Sequence, residues 1–238
     1  MKGKLYGVSV GPGDPGLITV KAKELIDKSA VIAYPVNKRG EDSTALDIVK
    51  GVTDISEKKI LELLFSMNPD DEVRKACRSE AIKELAETLD SGVDVSMISL
   101  GDIGVYSTYM YVDDEIRKLG YETEVIPGIT SFCGGAAEAR VPLMIGNEDL
   151  TIIPMAKRDN TRLDSFLASS DNIVIMKAWD SMKVLADMME KNGIPLKNAT
   201  VISNVGMEGE YIGPIDVGRE YGYFTTVIVK KNKNEDLK

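Results

Sequence analysis

The chain has 238 residues, of which 43% are hydrophobic and 28% charged, proportions typical of a globular protein with one large or two small domains. A net charge of −9 without any basic run argues against nucleic acid as the main partner. The chain contains no histidine, which excludes a Ser-His-Asp triad and most catalytic zinc sites, and we expect no bound metal.

Cysteine content and hydropathy predict the compartment. The two cysteines, Cys77 and Cys133, are far apart in the sequence and indicate no disulfide framework, so we expect a reducing cytoplasm. No apolar run approaches the roughly 18 residues of a membrane span, so we expect no membrane partner. Residues 1–4 lead directly into an apolar strand, and we expect no secretory signal.

The first half of the chain alternates apolar strands with helical periodicity. The predicted strands are 5–10, 30–34, 93–100 and 123–127, and the predicted helices are 20–29, 72–91 and 107–119. The apolar stripe predicted for helix 72–91 consists of Val73, Ala76, Cys77, Ile82, Leu85, Ala86 and Leu89. Alternation of this kind implies a parallel sheet covered by helices.

The second half indicates a different sheet. Strands are predicted at 150–153, 172–178, 199–204, 210–215 and 223–230, with helices at 162–169 and 181–192. The last two strands are close enough in sequence to pair antiparallel, which predicts a mixed sheet. We therefore expect an α/β protein of two α/β domains, 1–120 and 121–238.

The first loop, Gly11-Pro12-Gly13-Asp14-Pro15-Gly16, has the spacing of a dinucleotide-binding fingerprint but the wrong chemistry. Its two prolines lack the N–H groups that hold a pyrophosphate, and the next strand ends in Pro35-Val36-Asn37 where an acidic residue is expected. The loop is thus typical of a rigid turn that shapes a cleft, and a nicotinamide oxidoreductase remains a distant alternative.

Three glycine-containing strand exits, 11–16, 100–108 and 127–131, suggest one ligand crevice, because ligands of open α/β sheets bind at the carboxyl ends of strands. Small residues at 134–139 indicate either tight helix packing or close approach to a flat ligand. The cations Lys157, Arg158, Arg162 and Lys177 are either a solvated face or carboxylate-binding groups.

These segments resemble the tetrapyrrole methylases, the S-adenosylmethionine-dependent enzymes of sirohaem and corrin synthesis, over essentially the full length. The matching segments are 11–19, 100–102, 127–131 and 174–176. Tyr34-Pro35, residues 38–46, 64–67 and 106–108 resemble the C-20 methyltransferases of cobalt-factor II or precorrin-2, of which we favour the cobalt complex as substrate. Alternatives within the fold are the C-17 and C-11 corrin methylases and diphthine synthase.

The resemblance implies two α/β domains with a ligand cleft between them, a homodimer, and S-adenosyl-L-methionine as cofactor. The cofactor contacts that it implies are Pro12, Leu100, Gly101, Asp102, Val105, Thr130, Ser131, Met176 and Gly206.

The acidic side chains of a tetrapyrrole substrate require a local basic rim. The substrate-binding residues predicted on this ground are Arg140, Lys157, Arg158 and Lys177. Asp14 is also predicted to reach the substrate cleft, but its first role is to cap or stiffen the proline turn. The predicted catalytic residues are Asp102 and Tyr106. Asp102 either accepts hydrogen bonds from the cofactor amine or relays a proton, and Tyr106 is either a proton relay or a packed aromatic that opens a helix.

Overall fold

A computed structural model describes residues 1–155 and 161–231. These residues divide into two units, Met1–Thr130 and a second unit that begins at Ser131. The division falls after the strand Thr123–Ile126 rather than near residue 120, because that strand pairs with the first strand of the chain, Leu5–Ser9. Within the described ranges, no helix has the length and apolar character needed to cross a membrane.

The first unit is a parallel sheet covered by helices, as predicted. Its strands are β1 (Leu5–Ser9), β2 (Val31–Val36), β3 (Lys59–Leu64), β4 (Val95–Ser99) and β5 (Thr123–Ile126), in the order β3-β2-β4-β1-β5. Its helices are α1 (Val20–Lys28), α2 (Thr44–Lys50), α3 (Asp71–Asp90) and α4 (Tyr109–Lys118). Neither α2 nor β3 was predicted from the sequence.

Both faces of this sheet are buried, as parallel sheets require. Met97 packs into a cluster with residues of α3 and α4, and the next residue, Ile98, packs into a cluster with residues of α1 and α2. The predicted stripe of α3 is wrong in its first half, where Val73 is 38% exposed. A 20-residue helix is about 30 Å long and a six-residue strand about 20 Å, so one end of α3 extends beyond the sheet.

The second unit has a mixed sheet, as predicted. Its elements are α5 (Ser131–Glu138), β6 (Leu150–Pro154), α6 (Thr161–Ser169), β7 (Asn172–Met176), α7 (Met182–Lys191), β8 (Ala199–Ser203), β9 (Tyr211–Gly213) and β10 (Thr225–Lys230). The strand order is β6-β7-β10-β8-β9, with only β6 and β7 parallel.

The predicted pairing of the last two strands is wrong. The final strand, β10, lies between β7 and β8, whereas β9 pairs with β8 at the edge of the sheet. All six residues of β10 are buried, while the three residues of β9 are only half-buried. Burial therefore decides the order, because the central position removes the most apolar surface from water.

Candidate functional site

The first sheet brings the three glycine loops to one edge, as predicted, because β4, β1 and β5 are neighbours with parallel direction. Gly11 and Gly101 form a bridge: the Gly11 N–H donates to the Gly101 carbonyl at 3.2 Å, and the Gly101 N–H donates to the Gly11 carbonyl at 2.7 Å. Both residues have left-handed backbones, with φ of +83° and +71°, which explains why they are glycines.

The proline loop is a capped turn. The Asp14 carboxylate accepts the Gly16 N–H at 2.7 Å and begins a 3₁₀ turn at Pro15–Leu17. Pro12 is buried, whereas Asp14 is exposed. Asp14 thus stiffens the turn, as the sequence suggested, and its predicted contact with the substrate stays a prediction.

Asp102 connects two strand exits through both of its carboxylate oxygens. Oδ1 accepts the Gly104 N–H and Oδ2 accepts the Gly128 N–H, each at 2.8 Å. The buried Ser9 hydroxyl accepts the Ile103 N–H at 2.9 Å, which ties the end of β1 to the same loop. The exits of β1, β4 and β5 are therefore joined by a few short hydrogen bonds.

Gly128 is a glycine because of packing. A β-carbon at this position would lie 2.5 Å from the Ser9 Cβ and 3.0 Å from the Gly101 carbonyl oxygen. Sequence reasoning missed Ser9. Its only sequence signal is a hydroxyl residue near the end of an otherwise apolar strand that runs into the first glycine loop.

Tyr106 lies on the β4 exit with 51% of its surface exposed and an unusual backbone φ of +51°. Just before it, the half-buried Val105 donates its N–H to the Asp102 carbonyl at 3.1 Å, and the half-buried Leu100 leads into the loop. Helix α4 begins two residues later than predicted, because the Ser107 hydroxyl accepts the Tyr109 N–H.

Tyr109, which the sequence analysis did not single out, is the packed aromatic that opens α4. Its hydroxyl donates to Asp113 at 3.3 Å, and a β-carbon at Gly7 would lie 2.3 Å from its ring. Burial, together with the neighbouring Asp113 carboxylate, raises the pKa of Tyr109 well above its usual range. Tyr109 therefore fixes α4 against β1 and stays protonated, whereas Tyr106 is exposed at the surface.

In the second unit, predicted site residues lie at the carboxyl ends of two strands, β7 and β8, which end on the same side of the sheet. Both β7 and β8 are antiparallel to β10, so their carboxyl ends point the same way. Met176 ends β7 and is half-buried, and the exposed Lys177 follows it with φ +58°. Gly206 follows β8 with φ +71° and donates its N–H to Glu210 at 2.7 Å.

Helix α5 carries the other predicted residues. Thr130 and Ser131 are half-buried at its start, and Arg140, exposed with φ +53°, follows its end. A β-carbon at Gly135 would lie 2.7 Å from a methyl carbon of Ile202, so the packing interpretation of the small residues holds there. Lys157 and Arg158 lie outside the described residues.

Among the described residues, four that are not glycine have a left-handed backbone: Tyr106, Arg140, Lys177 and Asn204. Such a conformation costs about 1–2 kcal/mol, less for asparagine. The first three are residues that the sequence analysis selected for function. Backbone strain concentrates at functional sites, and the roles predicted for these three residues stay predictions.

Residues 4–218 match the family described as Tetrapyrrole (Corrin/Porphyrin) Methylases. The chain belongs to this family. A cobalt-precorrin-2 C(20)-methyltransferase of Salmonella typhimurium is 29% identical over 97% of this chain and 98% of the relative. A probable cobalt-precorrin-2 C(20)-methyltransferase of Methanocaldococcus jannaschii is 39% identical over 73% of this chain and 72% of the relative.

Solved structures confirm the fold of this tetrapyrrole methylase. A cobalt precorrin-4 methyltransferase matches with a TM-score of 0.75 and 18% identity, covering 95% of this chain and 94% of the other. A uroporphyrin-III C-methyl transferase from Thermus thermophilus, complexed with S-adenosyl homocysteine, matches with a TM-score of 0.70 and 18% identity, covering 96% and 92%.

Family membership confirms the predicted enzyme class, a tetrapyrrole methyltransferase that uses S-adenosylmethionine. At the first-unit edge, glycine is required by packing as well as by backbone conformation. A β-carbon at Gly11, for example, would lie 3.1 Å from the Leu17 carbonyl oxygen.

Proposed function

We propose that this tetrapyrrole methylase methylates C-20 of cobalt-factor II, or of the metal-free precorrin-2, in cobalamin biosynthesis. The observation that carries the proposal is the agreement of the relatives' names. Besides the two cobalt-precorrin-2 enzymes, a precorrin-2 C(20)-methyltransferase of a Sinorhizobium species is 30% identical over 80% of both chains.

One organism offers a direct comparison of reaction positions. In Methanocaldococcus jannaschii, the probable C(20) enzyme is 39% identical to this chain, and the cobalt-precorrin-4 C(11)-methyltransferase is 28% identical over 67% of this chain. The higher identity to the C(20) enzyme favours that position. Two of the three C(20) relatives carry cobalt in the substrate's name, which supports the cobalt complex as substrate.

The proposed cofactor contacts are those predicted from the sequence: Pro12, Leu100, Gly101, Asp102, Val105, Thr130, Ser131, Met176 and Gly206. S-adenosylmethionine supplies an electrophilic methyl group on a sulfonium. The protein's main task is then to hold that methyl in line with the ring carbon, and such orientation is worth about 7–11 kcal/mol. The loops of the first unit suit this task, because hydrogen bonds between them already hold their shape.

The substrate rim and proton transfer complete the proposal. Arg140 and Lys177, with Lys157 and Arg158, would bind the acetate and propionate groups of the substrate. Tyr106, exposed on the β4 exit, would contact the ring edge or relay the proton that C-20 loses as it gains the methyl, passing its own hydroxyl proton on to solvent.

We further propose a cytoplasmic homodimer. Cys77 and Cys133 are not joined in a disulfide, which is compatible with a reducing compartment. The homodimer follows from the family resemblance, and light scattering at two concentrations tests it: the mass of one 26.0-kDa chain would overturn it.

The substrate assignment is tested by anaerobic incubation with S-adenosylmethionine and either cobalt-factor II or metal-free precorrin-2. We expect mass spectrometry to show one added methyl, gained faster on the cobalt complex, and NMR to place it at C-20. A methyl at C-11 or C-17 would assign a different reaction. If S-adenosylhomocysteine binds but neither substrate is methylated, the substrate assignment is overturned while family membership stands.

A further inference from the structure

The Asp102 carboxylate is occupied by backbone donors from two loops. Its oxygens accept the Gly104 and Gly128 N–H groups at 2.8 Å each, a distance typical of charge-assisted hydrogen bonds. The first bond lies within the β4 loop, and the second reaches the β5 exit, 26 residues along the chain. Asp14, in contrast, caps its own loop by accepting the Gly16 N–H.

We propose that Asp102 is a positioning residue, which holds the β4 and β5 exits in one fixed shape and acts on the cofactor through that backbone. In this role the Asp102 carboxylate neither contacts the cofactor amine nor accepts the substrate's proton, and the cofactor contact proposed at Asp102 is made by its backbone. The inference rests on the proposed function, because it takes S-adenosylmethionine as the ligand of this edge.

The other N–H groups of the β4 loop support this role. The Gly101, Ile103 and Val105 N–H groups donate to the Gly11 carbonyl, the Ser9 hydroxyl and the Asp102 carbonyl, respectively. These bonds set the loop before any ligand arrives. The loop therefore offers a preformed surface to the cofactor, and the carboxylate that links it to β5 determines where that surface lies.

The close approach of Gly128 supplies a second reason. It lies so near Ser9 and Gly101 that a β-carbon would not fit, so the β5 exit can dock in only one way. The Asp102 bond to the Gly128 N–H holds it in that position. Loss of the bond is expected to release the β5 exit without unfolding the sheet, whose strands pair upstream of both loops.

The decisive variant is Asp102→Asn, whose amide retains one acceptor oxygen and replaces the other with a donor that cannot accept an N–H. Calorimetry would measure binding of S-adenosylhomocysteine and of 5′-methylthioadenosine, which lacks the amino acid part. We expect both ligands to weaken by the same factor, about tenfold. Weakening of S-adenosylhomocysteine alone would show direct contact with the amine and overturn the inference.

Hydrogen exchange of the ligand-free protein separates this local effect from general destabilisation. We expect Asp102→Asn to speed exchange at the Gly104 and Gly128 amides, while the Gly16 amide, held by Asp14, exchanges at the wild-type rate. Asp54→Asn is the matched control, since Asp54 also caps a turn by accepting a backbone N–H, from Ser56 at 2.9 Å. It should leave both affinities unchanged.

Turnover tests the remaining alternative. If Asp102 accepts the proton, Asp102→Asn should lower kcat and remove the acidic limb of its pH profile, a result that would overturn the inference. We expect the limb to persist and the KM for S-adenosylmethionine to rise. If the wild-type chain binds neither ligand, the proposed function fails and the inference fails with it. Normal wild-type binding with a loss selective for S-adenosylhomocysteine overturns the inference alone.

Discussion

At the carboxyl edge of the first sheet, the loops after β1, β4 and β5 are tied to one another by hydrogen bonds. In the second unit, the predicted site residues end separate elements, and two of them, Arg140 and Lys177, are exposed at left-handed positions. The first arrangement suits a small ligand whose reactive atom must be placed accurately. The second suits a large anion that meets exposed cations.

Glycine substitutions should give the largest difference between the two regions. Gly128→Ala places a methyl against the Ser9 Cβ and a backbone oxygen, neither of which can move away, so we expect a loss of about 3 kcal/mol in unfolding free energy. Gly135→Ala places its methyl against side-chain methyl groups of Ile202 but gains helix propensity. We therefore expect a smaller loss of unfolding free energy, about 1 kcal/mol. Urea denaturation measures both, and equal losses would contradict the comparison.

Charge reversal in the second unit should weaken binding of the substrate and leave binding of the cofactor unchanged. For the double variant Arg140→Glu and Lys177→Glu, we expect the KM for the tetrapyrrole to rise about tenfold, and less at high salt, because the cations attract a polyanion. Calorimetry should find S-adenosylhomocysteine affinity unchanged. Lys183→Glu, on the exposed face of α7, is the control. An unchanged KM for the tetrapyrrole would show that neither cation binds the substrate.

Relief of backbone strain in the second region should have a smaller effect on stability, of opposite sign. Arg140→Gly relieves a left-handed φ of +53° and should raise unfolding free energy by about 1 kcal/mol while weakening tetrapyrrole binding. Asn204→Gly is the matched control, because asparagine tolerates this conformation. Thermal melts and substrate KM report the two effects. If Arg140→Gly is less stable than the wild type, the arginine side chain stabilises the fold by more than its left-handed backbone destabilises it.

The smallest effect concerns the acid stability of the first unit. The Lys4 and Lys21 ammonium groups each donate to Glu124 at 2.8 Å and lower its pKa to about 2. A lowered pKa stabilises the folded state above the usual value of 4.5, and this contribution is lost as pH falls from there toward 2. Glu124→Gln should melt slightly lower than wild type at pH 6 and equally at pH 2. A constant difference would assign the effect to packing.

Local patterns in the sequence predicted most of the elements and the family. Alternating strands and helices fixed the parallel first sheet, and the glycine loops after β1, β4 and β5 marked one edge of it. The segment between residues 36 and 71 was missed, because β3 mixes charged and apolar residues without a clear period and α2 has only seven residues. A short helix carries too few turns to show its periodicity.

Only the tertiary structure decided which distant groups meet. The insertion of β10 between β7 and β8, the fit of Gly128 against Ser9, and the Asp102 bond to the Gly128 N–H all join residues far apart in the chain. Local spacing determines a strand or a turn, because neighbouring residues fix its backbone. The partner across a sheet or between two loops depends on register and burial, which the whole unit determines together.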